Sequence, residues 1–578
     1  MQTTAKILFY CIALFALAIT FWFGKQVYYF STHNYSQIID DYLLAYPLIY
    51  KPLVFKEHFF TPKTYHQARW WLYVGNILLV ALNVLLWKYK DFCQNLLLGV
   101  VQIFVYHLKS FQKQFQDLPQ SQKFIFAFVL MSIAWYQAYM YRQIFVAMDE
   151  TFSWLFFASQ GVFPTITHYP VPNNHVFYNL CSVFWSNFIS DQILAMRLTS
   201  ILSFWLLLLL IFYYFLRTAN FQTAILAIIL IGYGFSQSVF AVQGRGYMLM
   251  ALCFFMALWS LQAYQKNRQK AYLVYFALFS IIGFWTIPVF LYVFLSFYAY
   301  AFFFIWWKEK SSVIFFHFFG TGLFITVWVY LCYCPILMYS GFSALAGNEN
   351  VSPKTYDSAW FFGYILSIAL RESVIYVISL PKYVSFFVFV LLGIFLWLMA
   401  RKNQNADFLF LWRFLLISLP VTFMIICLMQ TFPFYRIWTY YAILLAILVA
   451  LGMYHFVSSK RQIANFWLLI FNVLMAFASY FQFWREIQDF YDPVAYQHHK
   501  KLENFAIQIV EKKQSIHLSV EAFYIRFWLE YRQATHLLRH NSCKADVAVA
   551  EIPEPAPLCQ EAQQDIWFLR FYSYKQKN

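Results

Sequence analysis

Charge is scarce in this chain: acidic and basic residues together make up 11% of its 578 residues, against about a quarter in an ordinary soluble domain. With 62% of the residues hydrophobic and 23% aromatic, that shortage excludes a protein that hides its apolar side chains inside a water-soluble core. Acidic residues are the scarcer sign, 25 against 41 Lys and Arg, which leaves a formal net charge of +16. A basic stripe with interleaved aromatics is missing, so the charge is not a nucleic-acid surface and no nucleic-acid partner is expected. Metal-ligand spacing is missing as well: the cysteines from Cys11 to Cys427 lie in or beside apolar segments, and Cys332 and Cys334 read as small buried residues. No small-x-small cleavage site follows Met1–Gly24, so that stretch is expected to be an uncleaved first span rather than a signal peptide. No internal repeat or inverted symmetry is visible along the chain.

What the chain does have is apolar runs near the roughly 20 residues needed to cross a bilayer, recurring along almost its whole length. They predict an all-α polytopic membrane protein with about 13 transmembrane helices. The spans are expected at 7–23, 71–87, 123–147, 193–216, 222–240, 247–264, 271–287, 288–306, 312–334, 383–400, 408–429, 436–455 and 463–481. Basic residues gather in the short turns between them: Lys266, Arg268 and Lys270; Lys308 and Lys310; Arg401 and Lys402; Lys460 and Arg461. That is the pattern of cytoplasmic loops. An odd number of spans then puts the N-terminus in the cytoplasm and the C-terminus on the outer side. The apolar stretch 94–108 is short and flanked by lysines, so an interfacial helix is expected there instead of a span.

Three regions follow: residues 1–122, an N-terminal extension with two spans and the interfacial helix; 123–482, the main transmembrane domain; and 483–578, where the composition shifts abruptly to mixed charge. A helix over 498–511, a proline-rich linker over 552–557 and a strand over 565–574 predict a small α/β extracytoplasmic C-terminal domain. Cys543 and Cys559 fall within it, where an oxidising compartment would let them pair or leave them free.

The outer face holds the residues that could carry chemistry. Asp149 and Glu150 follow the third span directly, and two carboxylates at a membrane edge are costly unless solvated or used. Asp149 either caps the next helix or stands where a lipid headgroup would sit. Segments 152–160 and 176–190 predict two juxtamembrane helices in this first long outer loop. The second is amphipathic, with Val176, Leu180 and Phe184 on one side and Asn179, Ser182 and Ser186 on the other. Between them runs a stiff turn from His168 to His175, rich in hydrogen-bonding side chains. The next outer turn sets Arg245 between Gly244 and Gly246, which allow close backbone approach. A guanidinium there suits a phosphate or simply snorkels, and Arg436, after Pro433, is open to the same two readings.

An acidic pair after a span, two juxtamembrane helices, a proline-containing turn and then Arg197-Leu198 opening the next span resembles the GT-C membrane glycosyltransferases. Within them the pattern is most similar to the dolichyl-phosphate-mannose protein mannosyltransferases and bacterial aminoarabinose transferases. The turn from Gln243 to Tyr247 and the proline-then-arginine turn at Pro433 to Arg436 belong to the same resemblance, which covers residues 123–482. It implies an inverting glycosyltransferase that moves a sugar from a polyprenyl-phosphate carrier to a protein, lipid or glycan acceptor at the outer leaflet. Asp149 would then be the catalytic base and Glu150 would orient a substrate. Arg245, Tyr247, Arg436, His175 and Asn174 would bind the donor and its lipid phosphate. The polyprenyl-phosphate sugar is the donor substrate and no cofactor is certain; the second outer turn lacks the acidic residue some members carry, which leaves a divalent metal open.

The resemblance is closer to bacterial members, so a bacterial inner membrane with a periplasmic active face is expected. Sequons at Asn34 and Asn350 keep an endoplasmic reticulum location open. A transporter or flippase of envelope lipids, and a polysaccharide polymerase or ligase, are the alternatives.

Overall fold

The structure is a computed structural model that describes residues 1–46, 55–346, 366–378, 382–402, 405–429, 433, 435–454, 461–489, 493–518, 523–538, 547–551, 560–566 and 569–574. The two C-terminal cysteines, Asn350 and the linker 552–557 lie outside the described residues.

Among the described residues, nine helices are long and apolar enough to cross a membrane. They are α1 (Gln2–Thr32), α3 (Pro62–Lys88), α5 (Gln120–Gln143), α9 (Gln192–Thr218), α12 (Tyr247–Asn267), the Pro288–Glu309 segment built around α14 (Leu291–Tyr300), α15 (Ser312–Tyr339), α18 (Ala406–Met429) and the Asn465–Gln482 part of α20 (Arg461–Asp489). Three shorter apolar helices fall where further spans are expected: α13 (Lys270–Thr286), Ser385–Arg401 within α17 (Lys382–Lys402), and Arg436–Gly452, which contains α19 (Thr439–Gly452). Large apolar side chains such as Leu14, Phe21, Trp70, Trp135 and Phe477 stand on the outside of these helices, as a lipid-facing surface requires and a water-facing one does not tolerate in such number. The protein is an integral membrane protein. Toward the inside, α12 is almost wholly covered, with α9, α13 and α19 packed against it. The N-terminal helices α1 and α3 pack on each other, and α3 also packs on α15.

One expected span is broken. Residues 222–240 form α10 (Phe221–Gly232) and α11 (Phe235–Val242), bent by 67°. The break falls at Gly234, where a Cβ would collide with Gln237 Oε1 and sit 3.2 Å from the Leu230 carbonyl. Two of the carbonyls released by the break find hydroxyl donors, Gly232 from Ser238 at 3.0 Å and Tyr233 from Ser479 at 3.1 Å. Such side-chain repair is what allows an interrupted helix at membrane depth.

The stretch 94–108 is part of a single helix, α4 (Lys90–Gln116), which is not among the spans and packs against α1 and α13. Asn34 caps α2 (Tyr35–Ala45), its Oδ1 accepting from Gln37 N–H at 3.0 Å. The first long outer loop carries α6 (Met148–Phe156), α7 (Val162–Thr167) and α8 (Val176–Ser186). The amphipathic reading of α8 needs correction: Asn179 and Ser182 are buried against the protein and Phe184 is exposed. Asn179 points inward because its amide supplies a hydrogen bond to Asn174 Oδ1 at 2.9 Å.

At the C-terminal end, α21 (Pro493–Glu511) begins earlier than expected. With β1 (Ile516–Leu518) and α22 (Phe523–Tyr531), it shares a core with α6: Leu502, Ala506, Ile525 and Phe527 join Phe152, Leu155 and Phe156. The Tyr524 hydroxyl donates to the Val146 carbonyl at 3.1 Å. β2 (Val547–Glu551), β3 (Gln560–Ile566) and β4 (Leu569–Tyr574) complete a four-stranded sheet of order β1-β2-β4-β3, so the strand expected at 565–574 is two antiparallel strands with Ile566 opposite Leu569.

Candidate functional site

At one end of the bundle the start of α6, the turn before α8 and the turn between α11 and α12 come together, and Arg436 joins them from the turn that precedes α19. The adjacent carboxylates divide here. Neighbouring residues on a helix point about 100° apart, so when Glu150 faces the interior Asp149 faces the rim.

Glu150 is completely buried and bound on both oxygens. Arg197 reaches it with Nε to Oε1 at 3.0 Å and Nη2 to Oε2 at 3.1 Å, and Gly244 N–H donates to Oε1. Ala147 N–H donates to Oε2 at 2.9 Å, so the carboxylate that caps α6 is Glu150 and not Asp149. Arg197, equally buried, spends its remaining N–H groups on the carbonyls of Tyr141, Ile144 and Phe145, where α5 ends. Helix ends leave such carbonyls without intrahelical partners. Glu150 therefore reaches no solvent from which a substrate could approach; it locks α5, α6, α9 and the turn at Gly244 together.

Asp149 keeps 38% of its side chain exposed. Its Oδ2 receives Arg436 Nη1 at 2.8 Å and lies 3.4 Å from Arg245 Nη2. Arg245 does not snorkel, because its guanidinium is buried, with only 4% of the side chain exposed. It sits 5.7 Å from the Tyr247 ring centre, and its Nη1 donates to Asn173 Oδ1. Asn173 Nδ2 in turn donates to the Asp149 carbonyl at 3.1 Å. Arg245 Nε is buried and has no partner among the described residues.

The donor-site residues expected from sequence separate into two groups. Arg245 and Arg436 meet Asp149, and Tyr247 packs against Arg245. His175 is buried behind them, its Nδ1 accepting from Gly246 N–H at 2.8 Å. Burial first, and then the positive charges of Arg245 and Arg436, hold the imidazole well below its usual pKa, so it is a neutral support for the turn. Asn174 is buried with its whole carboxamide committed inside the protein: Nδ2 donates to the carbonyls of Thr165 and His168, both at 2.8 Å, and Oδ1 accepts from Asn179. The asparagine that meets Asp149 and Arg245 is Asn173, which sequence reasoning passed over. The two adjacent asparagines carry no sequence signal that ranks one above the other.

The glycines beside Arg245 allow close approach, but to the protein's own groups. A Cβ on Gly244 would stand 3.0 Å from Glu150 Oε1, and one on Gly246 would stand 2.6 Å from Thr286 Cγ2 and 3.1 Å from His175 Nδ1. No family model, curated protein or solved structure matches this chain.

Electrostatically, the rim of the site joins one carboxylate to two guanidiniums, which leaves one positive charge over among Asp149, Arg245 and Arg436. This setting suits an anion. It does not fit a divalent metal: the ionic partners of Asp149 among the described residues are cations, and no three His, Cys, Asp or Glu side chains cluster among those residues. Beside the site, an apolar cavity of about 340 Å³ opens between α16 (Leu366–Ile378), α17, α18 and α19. Trp438 lines it, two residues from Arg436, together with Leu419, Phe423 and Tyr441.

Proposed function

We propose that the protein is an inverting glycosyltransferase that moves a sugar from a polyprenyl-phosphate carrier to an acceptor hydroxyl or amine at one membrane face. The observation that carries this reading is a half-exposed carboxylate at one end of the helix bundle, held by two guanidiniums that together outweigh its charge. The acceptor oxygen or nitrogen would form a bond to the anomeric carbon as the bond from that carbon to the phosphate oxygen breaks. Asp149 would take the acceptor's proton. The lipid phosphate would leave with the bonding pair, and Arg436, backed by Arg245, would meet its growing charge. The apolar cavity beside Trp438 suits the first isoprene units of the carrier. Glu150 acts as a positioning residue, through Arg197 and Gly244.

On this reading all 13 apolar segments cross the membrane, the three shorter helices and the bent pair among them, so that Asp149 opens to the periplasm of a bacterial inner membrane. A reporter fused after residue 578 is then expected to be active on the outer side of the membrane and one inserted near residue 268 on the cytoplasmic side. The opposite pattern would place the site with nucleotide sugars and remove the case for a lipid carrier.

The transfer itself is tested by mass spectrometry of envelope glycans and lipid-linked sugars in cells with wild type, a deletion or Arg436→Ala. The deletion is expected to lose one sugar from an acceptor while the matching lipid-phosphate sugar accumulates. A charged hydrogen bond contributes about 1.5–3 kcal/mol, so purified Arg436→Ala should bind that donor about 10–100-fold more weakly. A deletion that leaves every lipid-linked sugar at its wild-type level would end the transferase reading.

A further inference from the structure

A second built site lies at the opposite membrane face. Along α9, Arg197 and Arg217 are twenty residues apart, about 30 Å of helix, so Arg217 stands across the bilayer from Asp149. Two cavities meet there, sharing Ile103 and Tyr272. One, of about 310 Å³, is apolar, lies between α4, α9, α12 and α13, and is lined by Phe104, Leu108, Leu206 and Leu209, all of which stand on the protein's outer surface. The other, of about 610 Å³, is polar, with Arg217, Lys270, Gln102 and Asn267 in its wall and no carboxylate in its lining.

Arg217 is held in place without an acidic partner. Its Nη1 donates to His107 Nδ1 at 3.0 Å, and its guanidinium lies over the rings of Tyr106 and Tyr213 at 5.5 and 5.7 Å. His107 is kept neutral by burial and by Arg217 itself, which pull its pKa down to about 4, so it can accept that bond. Among the described residues neither Arg217 nor Lys270 forms an ion pair with a carboxylate; the Lys270 ammonium stands 6.0 Å from the centre of the Phe92 ring. Two unpaired cations at the mouth of an apolar slot that opens sideways to the lipid call for a molecule with an anionic head and a hydrocarbon tail.

We infer that this pair of cavities is a binding site for an anionic phospholipid of the leaflet opposite Asp149, its phosphate between Arg217 and Lys270 and one acyl chain against Leu206 and Leu209. The site is independent of the sugar-transfer reading.

Native mass spectrometry of the full-length protein tests it, with phosphatidylglycerol, phosphatidylcholine and glycerol phosphate as probes. Wild type is expected to hold one phosphatidylglycerol at least about tenfold more tightly than phosphatidylcholine. The double variant Arg217→Ala/Lys270→Ala should lose that preference, and Leu209→Trp, which fills the slot and leaves the charges alone, should weaken binding of the lipid but not of glycerol phosphate. Size-exclusion profiles check that both variants remain folded. Equal retention by wild type and the double variant overturns the site. Full competition by glycerol phosphate, with no effect of Leu209→Trp, overturns the lipid in favour of a free phosphate.

Discussion

Asp149→Asn is expected to lower the transfer rate by about 10²–10⁴-fold, the contribution of a positioned general base, without weakening donor binding. The two effects separate because the residue sits in two relationships at once. Its carboxylate would receive the acceptor proton, which an amide cannot do. It also offsets one of the two guanidiniums that face it, so its neutralisation leaves Arg245 and Arg436 with more positive charge for an anionic donor. Turnover should collapse while the donor's KM stays level or falls. Folding should respond modestly: the pair with Arg436 is exposed on both sides and such pairs contribute about 0–1 kcal/mol, while the asparagine keeps a side-chain oxygen that can accept from the buried Arg245. The check is steady-state kinetics on purified protein with a polyprenyl-phosphate sugar, alongside thermal unfolding. Wild-type turnover in Asp149→Asn would reduce Asp149 to a clamp for Arg436 and sink the base assignment.

The sequence and the structure agree where the physical signal is regional. Hydrophobic runs are long and the bilayer sets their length: nine of the expected stretches fall on helices long and apolar enough to cross a membrane, three on shorter apolar helices and one on the bent pair. Residues whose role depends on which way a side chain turns were less legible. Asp149 and Glu150 are neighbours of the same charge in one dyad, and only the phase of α6 decides which is buried. Asn173 and Asn174 pose the same problem in a turn. Arg197 was visible as an arginine opening a span, yet its partner lies 47 residues away, and no local pattern encodes that distance. The Gly-Arg-Gly turn was read for its permissiveness, and that permissiveness is used, though by Glu150 and His175 rather than by a ligand alone. The break at Gly234 was hidden for a further reason. Glycine in an apolar run is common in membrane helices, and the hydroxyl that repairs the Tyr233 carbonyl arrives from Ser479, 246 residues on.

Arg197→Met is the complementary experiment, with the large effect expected on folding. Removing the guanidinium strands a completely buried carboxylate and takes the donors from three carbonyls at the end of α5. Breaking a buried pair from one side costs about 3–5 kcal/mol, a large part of the stability of most folded proteins. Thermal unfolding in detergent, or proteolysis of membranes, should show the loss. Glu150→Leu on top of Arg197→Met removes the stranded charge and should recover part of it. Recovery cannot be complete, because Ala147 N–H and Gly244 N–H lose their acceptor in the double variant. A double-mutant cycle then gives the coupling between the two side chains directly. Asp149→Asn, whose described ionic partners are Arg245 and Arg436, should add to Arg197→Met with little coupling. If Arg197→Met unfolds with the wild type, the buried pair is not what holds the turn at Gly244 against α6. The placement of Arg245 beside Asp149 would then need another cause.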